Sequence, residues 1–211
     1  MFTGIVQHLG RVTSAQRTAG GLVLSVEAPP AAQDARIGDS ISVSGVCLTV
    51  TGTSGDVLRF DVTGETLSMT TLDDLTEDLL VNVEPSLRPS DRMGGHFVTG
   101  HIDGIGALTE RTDTPGETRM TFRTDAAVTQ MMILKGSVAL DGVSLTLTHV
   151  SEGTFGVVLI PHTLSVTTLG TIRPGARVNI ETDLIGKWVL KALGRADDTI
   201  SEDFLREHGF A

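Results

Sequence analysis

Short β-rich runs punctuate the chain, and many of them alternate apolar and polar residues, the period of a strand with one buried face. Such runs are residues 23–26, 40–43 and 57–62 in the first half, and residues 119–122, 137–140 and 155–160 in the second. Clusters of Gly, Asp and Ser bound the runs, so each is expected to be a strand of a sandwich or barrel. The pattern changes near the end. Ile185, Val189, Leu190 and Leu193 recur at helical spacing within 185–195, beside Trp188. That helix either packs on its own domain or offers its apolar stripe to another copy of the chain. A second short helix is expected over 201–208, where Phe204 and Leu205 need cover.

The chain also repeats itself. At one constant offset and without a gap, residues 40–87 fall on 137–184. Gly45 meets Gly142, Val46 meets Val143, Leu48 meets Leu145 and Thr49 meets Thr146. The register continues through Thr66-Leu67-Ser68 onto Thr163-Leu164-Ser165, Val81-Asn82 onto Val178-Asn179, and Glu84 onto Glu181. A weaker match pairs Thr3-Gly4 with Thr99-Gly100, one residue out of that register. So long a repeat is no solenoid unit. It suits two similar β domains, each with a small core of its own. Closed barrels are favoured because they leave no exposed sheet edge. Pro85, Ser86, Pro89, Ser90, Gly94 and Gly95 concentrate turn formers and mark the junction. The expected division is 1–90, 91–184, and a helix with tail over 185–211.

Composition narrows function more than fold. The 211 residues carry 16 Lys or Arg against 26 Asp or Glu, a net charge of -10. Such a field repels phosphate backbones, so nucleic acid is not an expected partner. With one cysteine, Cys47, neither an intrachain disulfide nor a Cys-rich zinc site can form. His96 and His101 have no Cys or third His nearby, so no metal is expected. There is no Walker-type phosphate loop, and Gly104-Ile105-Gly106 is too short for a dinucleotide fingerprint. No apolar run approaches the ~20 residues that span a bilayer. The start, Met1-Phe2-Thr3-Gly4, has no basic leader, and a cytoplasmic protein without membrane contact is expected.

Two stretches draw chemical interest. Cys47 sits in Gly45-Val46-Cys47-Leu48-Thr49-Val50, either as a small buried hydrophobe or as a pocket thiol. Its repeat mate is Ser144, in Asp141-Gly142-Val143-Ser144-Leu145-Thr146, a contrast that suits two like pockets with different tasks. His101 follows Gly94-Gly95-His96-Phe97-Val98-Thr99-Gly100, either in a solvated turn or at a domain-boundary site that exchanges protons near neutral pH. Other mates also differ: Gly38 and Lys135, Glu65 and His162, Ser86 and Asp183, Ile5 and His101. Divergent pockets and neutral surface drift would both give that pattern.

These motifs, together with Met1-Phe2-Thr3-Gly4-Ile5-Val6, resemble the riboflavin synthase family, in order, from Met1 to about Leu193. The resemblance implies an all-β fold of two similar six-stranded antiparallel closed barrels in tandem, then a C-terminal helix that joins three chains in a homotrimer. It implies a transferase that dismutates two molecules of 6,7-dimethyl-8-ribityllumazine. One gives a four-carbon unit to the other, leaving riboflavin and 5-amino-6-ribitylamino-uracil. Neither metal nor organic cofactor is needed. The site would lie where one subunit's first barrel meets another's second barrel, and lumazine synthase would be a functional partner.

The resemblance also assigns residues. Identical substrates play opposite parts, so the pockets should agree where they grip and differ where they react. The reactive positions fall on Cys47, His101 and Ser144: His101 would move a proton from the acidic 7-methyl group, Ser144 would hydrogen-bond the ring or help deliver a hydroxyl, and Cys47 would line the other pocket without a covalent role. Thr49 and Thr146, with Thr66 and Thr163, would grip ring and ribityl chain. Further contact positions in the first half are Ser40, Leu48, Asp61, Val62, Thr63, Gly64 and Glu65. Those in the second half are Lys135, Leu145, Ile160, Pro161, His162, Leu164, Ser165 and Asp183. Gly4, Ile5, Val6, Gly100 and Ile102 match contact segments, and Phe2 belongs to an N-terminal segment folded over the site. Ser44 stands where the family often has Asn, and His162 where some members carry an acid. Fluorescent lumazine carriers resemble the same family but lack the second-half motifs, here present as Gly95-His96, Gly100-His101 and Ser144.

Overall fold

The alternation at residues 57–62 is a strand with its apolar side turned inward: Leu58, Phe60 and Val62 are buried, Arg59 and Asp61 exposed. A computed structural model describes residues 1–194, so the helix expected over 201–208 lies outside the described residues. The first barrel contains β1 (His8–Thr18), β2 (Gly21–Glu27), β3 (Ser40–Val43), β4 (Val46–Ser54), β5 (Val57–Thr63) and β6 (Leu80–Pro85). The second contains β7 (Gly104–Thr114), β8 (Glu117–Arg123), β9 (Ser137–Leu140), β10 (Val143–Ser151), β11 (Thr154–Leu159) and β12 (Arg177–Thr182). Short helices α1 (Pro29–Ala32), α2 (Gly64–Met69), α3 (Ala126–Thr129) and α4 (Pro161–Val166) join strands, and α5 (Leu184–Gly194) follows the second barrel.

Both sheets close, in the orders β1-β2-β5-β4-β3-β6 and β7-β8-β11-β10-β9-β12. Neighbouring strands are antiparallel throughout, and even the bulges repeat: the shift in β1 between Val12 and Ser14 recurs in β7 between Leu108 and Glu110. One strand is shorter than its pattern. The run 155–160 ends at Leu159, because Pro161 has no N–H to give a ladder and instead opens α4, with Ile160 as its N-cap.

Each barrel holds its own core. Val12, Leu24, Leu58, Phe60 and Val83 fill the first; Leu108, Phe122, Phe155, Val157 and Ile180 fill the second, where Phe122 and Phe155 stack at 5.5 Å. A small third cluster of Phe2, Val98 and Ala139, with Cys47 against it, lies between them.

The barrels meet across a set of reciprocal contacts. Asn82 donates to the Asp141 carbonyl (2.9 Å) and accepts from Thr168 N–H (2.8 Å). Its mate Asn179 donates to the Ser44 carbonyl (2.8 Å) and accepts from Thr71 N–H (2.8 Å). These buried amides use both ends, which removes the desolvation cost of an unpaired polar group. Between them Gly45 and Gly142 touch backbone to backbone, both with φ near +80° (83° and 79°). A Cβ on Gly45 would stand 2.6 Å from the Gly142 nitrogen, so only glycine permits this approach.

The last helix is built inside out. Ile185, Trp188, Val189, Leu190 and Leu193 are exposed, while Lys187 reaches back to the Asp103 carboxylate at 2.6 Å. Packing of the stripe on its own domain is therefore not what the fold shows.

Candidate active site

Two short segments outside the barrels are strapped down by buried carboxylates. Glu84 on β6 accepts from the Thr3 N–H (2.7 Å), the Thr3 hydroxyl (2.7 Å) and the Gly4 N–H (3.0 Å). Glu181 on β12 takes the same three bonds from Thr99 and Gly100, at 2.6, 2.7 and 2.8 Å. Burial pushes the Glu84 carboxyl above its ordinary range, and the three donors offset only part of the rise. The straps then cross. Gly4 accepts from the Ser144 N–H of β10 (2.8 Å), and Val6 enters the second core. Gly100 accepts from the Cys47 N–H of β4 (2.9 Å), and Ile102 packs against the first core. Each strap is thus held by one barrel and covers the other. Close approach demands glycine at both places: a Cβ on Gly4 would meet Ser144, and one on Gly100 would meet Cys47, within 3 Å.

Under each strap lies a pocket. The first, about 200 Å³, is lined by Val46, Cys47, Glu65, Thr66, Met69, Thr70, Gly100, His101 and Ile102. The second, about 120 Å³, is lined by Val143, Ser144, His162, Thr163, Val166, Thr167, Gly4, Ile5 and Val6. Taken in that order the two sets are repeat mates, residue for residue. Valine, both threonines and the strap glycine are shared. The pockets differ where Cys47 answers Ser144, Glu65 answers His162, Met69 answers Val166, His101 answers Ile5 and Ile102 answers Val6. Wider clefts exist, such as the one of about 580 Å³ between Gln7, Pro30, Arg88 and Arg92, but that cleft brings no such mates together.

The expected site residues divide by where the fold puts them. Cys47, Glu65, Thr66, Gly100, His101 and Ile102 line one pocket. Gly4, Ile5, Val6, Ser144, His162 and Thr163 line the other. Thr49 shares the outward face of β4 with Cys47 and pairs with Ser40 on β3; Thr146 shares that of β10 with Ser144. Thr63 caps α2, taking the Thr66 N–H at 3.2 Å, with Gly64 next and Asp61 exposed before it. Pro161 opens α4 after Ile160, Leu164 packs on the second core, and Ser165 donates to the His162 carbonyl. Lys135 is exposed in a left-handed turn (φ 68°), and the Asp183 carboxylate accepts the Ile185 N–H at the start of α5.

Some expected residues stand elsewhere. Leu48, Val62 and Leu145 are buried in the barrel cores, so their side chains do not face the pockets. Phe2 is fully buried behind Cys47 and bridged to Val98, at the anchored start of the strap whose Gly4, Ile5 and Val6 line the second pocket. Met69, Thr70, Val166 and Thr167 line the pockets although the sequence reading does not place them there; their matched register in the repeat is the available signal. His96 enters that reading as part of a motif and as a metal ligand set aside, not as a site residue. Its ring is nearly buried, 9% exposed, with Nδ1 2.7 Å from the Ser144 hydroxyl oxygen. Burial holds its pKa below the ordinary histidine range, against a weaker pull upward from Asp183 and Glu181.

Two barrels with mated pockets under crossed straps define a tandem lumazine-binding-domain protein, and the lumazine binding domain family matches residues 3–86 and 99–183. A crystal structure of LumP complexed with riboflavin superposes with a TM-score of 0.79 at 27% identity, covering 86% of this chain and 99% of that one. Closer in sequence are the riboflavin synthase of Bacillus subtilis (strain 168), 38% identical over 215 residues and 100% of both chains, and that of Chlamydia pneumoniae, 42% identical over 89% of this chain and 92% of its own. The chain belongs to the riboflavin synthase family.

Proposed function

We infer that the chain dismutates 6,7-dimethyl-8-ribityllumazine, moving a four-carbon unit from one molecule to another to give riboflavin and 5-amino-6-ribitylamino-uracil. The observation that carries the reading is the mating of the two pockets. Shared Thr66 and Thr163 suit a common grip on identical substrates, while the Cys47/Ser144 and His101/Ile5 contrasts suit opposite roles. His101 is the exposed imidazole beside the first pocket and is the group that exchanges a proton with the substrate there. Ser144 meets the ligand of the second pocket through its hydroxyl. Cys47 packs against Phe2, Val98 and Ala139 and shapes the first pocket.

Both pockets are smaller than the roughly 300 Å³ usual for a small-molecule site, which supports completion of each by a second surface. The exposed apolar stripe of α5 supports a homotrimer in which one chain's first pocket faces another's second. The reaction needs no cofactor and runs in the cytoplasm, with a lumazine-forming enzyme upstream. Incubation with 6,7-dimethyl-8-ribityllumazine alone, in chelator, tests this. Riboflavin and the pyrimidine in equal amounts, above the spontaneous rate, are expected. Tight fluorescent retention of the lumazine without product would move the protein to the carriers.

A further inference from the structure

We propose that a further cleft, where the two barrels meet, is a second ligand site that takes a small organic dication such as an aliphatic diamine. It shares no residue with the strap pockets and does not depend on the dismutation reading. The cleft is about 600 Å³, inside the roughly 300–1,000 Å³ usual for a small-molecule site. Its fourteen lining residues are seven pairs of repeat mates, among them Ser44 with Asp141, Thr71 with Thr168 and Leu75 with Ile172. Each barrel therefore supplies the same half, and the cleft lies on the local two-fold axis that relates them. Its walls are the junction itself. Asn179 and Asn82 accept the Thr71 and Thr168 N–H groups, and donate to the Ser44 and Asp141 carbonyls.

Charge selects the ligand. The lining holds Asp74, Asp78 and Asp141 against Arg177 alone. Arg177 is engaged by Asp74 at 2.9 Å, an ion pair that also crosses the junction. Asp78 stands exposed, with Arg11 no nearer than 3.8 Å. Asp141 is buried, 7% exposed, and its Oδ1 accepts the Asn179 N–H. An anion entering the cleft would meet this acid excess. A cation that reaches Asp141 replaces its lost hydration with a charge-assisted hydrogen bond, and a second cationic group suits Asp78. Leu75, Leu79, Leu80 and Ile172 give connecting methylenes an apolar surface to cover.

Proton release singles out Asp141 from the other acids. Burial raises its pKa to about 7, and the charged groups that share the cleft with it are Asp74, Asp78 and Arg177. A cation bound there at pH 6 must displace the proton, whereas the exposed carboxylates are already ionised and release none.

Isothermal titration calorimetry of the full chain with hexamethylenediamine tests this, with hexanediol and adipate as neutral and anionic probes. One diamine per chain is expected, with both controls at least tenfold weaker. Titrations at pH 6 in two buffers of different ionisation enthalpy should show close to one proton released, and less at pH 8. Asp141→Asn keeps the side chain's shape; it should weaken the diamine about tenfold or more and abolish the release. Arg177→Gln frees Asp74 and should tighten binding a few fold. No binding, equal binding of the three probes, several weak diamine sites without proton release, or affinity unchanged by Asp141→Asn would each overturn the proposal. None of these readouts involves riboflavin, so failure here leaves the dismutation reading untouched.

Discussion

Glu84 in the first barrel and Glu181 in the second each take three hydrogen bonds from a Thr-Gly pair, and Asn82 and Asn179 mirror one another across the junction. Beneath the straps those carboxylates hold, the mirror breaks: Cys47 faces Ser144 and His101 faces Ile5. The difference has a physical logic. A group that closes the two barrels on each other has one geometry that works, and a change in either copy leaves a buried donor or acceptor unpaired. A pocket group is released from that constraint and is free to specialise. The halves therefore match where they hold each other and diverge where two identical substrates must behave differently.

The largest effect should come from breaking the shared part. Gly142→Ala puts a methyl 2.9 Å from the Gly45 nitrogen at a φ of +79°, and the facing atoms are backbone that cannot turn aside. Left-handed strain and the clash together should cost about 3 kcal/mol or more. Gly45→Ala should behave alike, with its methyl 2.6 Å from the Gly142 nitrogen. Urea unfolding followed by fluorescence and circular dichroism checks this. Two separated transitions would show that the glycine contact couples the barrels, and an unchanged midpoint would mean that it carries no stability.

A smaller effect, confined to chemistry, should come from the pockets. His101→Ala should lower kcat by about a hundredfold, the lower range for general acid–base groups, with much less loss of ligand affinity. Ile5→Ala, its mate, removes only apolar lining from the second pocket and should act mainly on KM. Steady-state kinetics on the two variants side by side sharpens the comparison. Equal losses of kcat at both positions would remove the division of labour between the pockets.

Much of this architecture is legible in the sequence because it is local or periodic. Alternation marks the strands, and the register of 40–87 on 137–184 points to two like barrels. Of the contrasts between mates, Glu65/His162 and Ile5/His101 line pockets, whereas Gly38 and Lys135 occupy matched left-handed turns and Ser86 borders a different cleft. Sequence offers no way to separate them, since drift and specialisation look the same in one dimension. The alternation does hold one further clue: Leu48, between Cys47 and Thr49, must point to the core when its neighbours point out. The crossing of the straps and the His96–Ser144 pair are out of reach. Both join residues far apart in the chain and depend on how two closed barrels meet.

The mildest contrast between the halves lies at the junction itself, where Ser44 and Asp141 occupy the same left-handed turn position (φ 44° and 45°). Both give their N–H to the backbone carbonyl of the asparagine in the same barrel, and a neutral serine suffices in the first. The Asp141 carboxyl is buried, and its Oδ1 accepts the Asn179 N–H at 2.8 Å. Loss of water pushes its pKa up to about 7, and that one hydrogen bond only partly offsets the rise. A raised carboxyl binds its proton more tightly folded than unfolded. Its contribution to stability is therefore full below the ordinary value of 3.8, falls as pH climbs, and is gone above about 7. An asparagine in its place would be a neutral side chain of the same shape that still accepts from Asn179 and tolerates the positive φ. Asp141→Asn should thus be more stable than the unmodified protein at pH 8, by about 1 kcal/mol or more, with the gap narrowing toward pH 4. Thermal melts of both proteins across that range measure the gap with the other titrating groups held in common. A gap that stayed constant with pH would mean that Asp141 is charged in the fold and that the two turn positions differ in more than a proton.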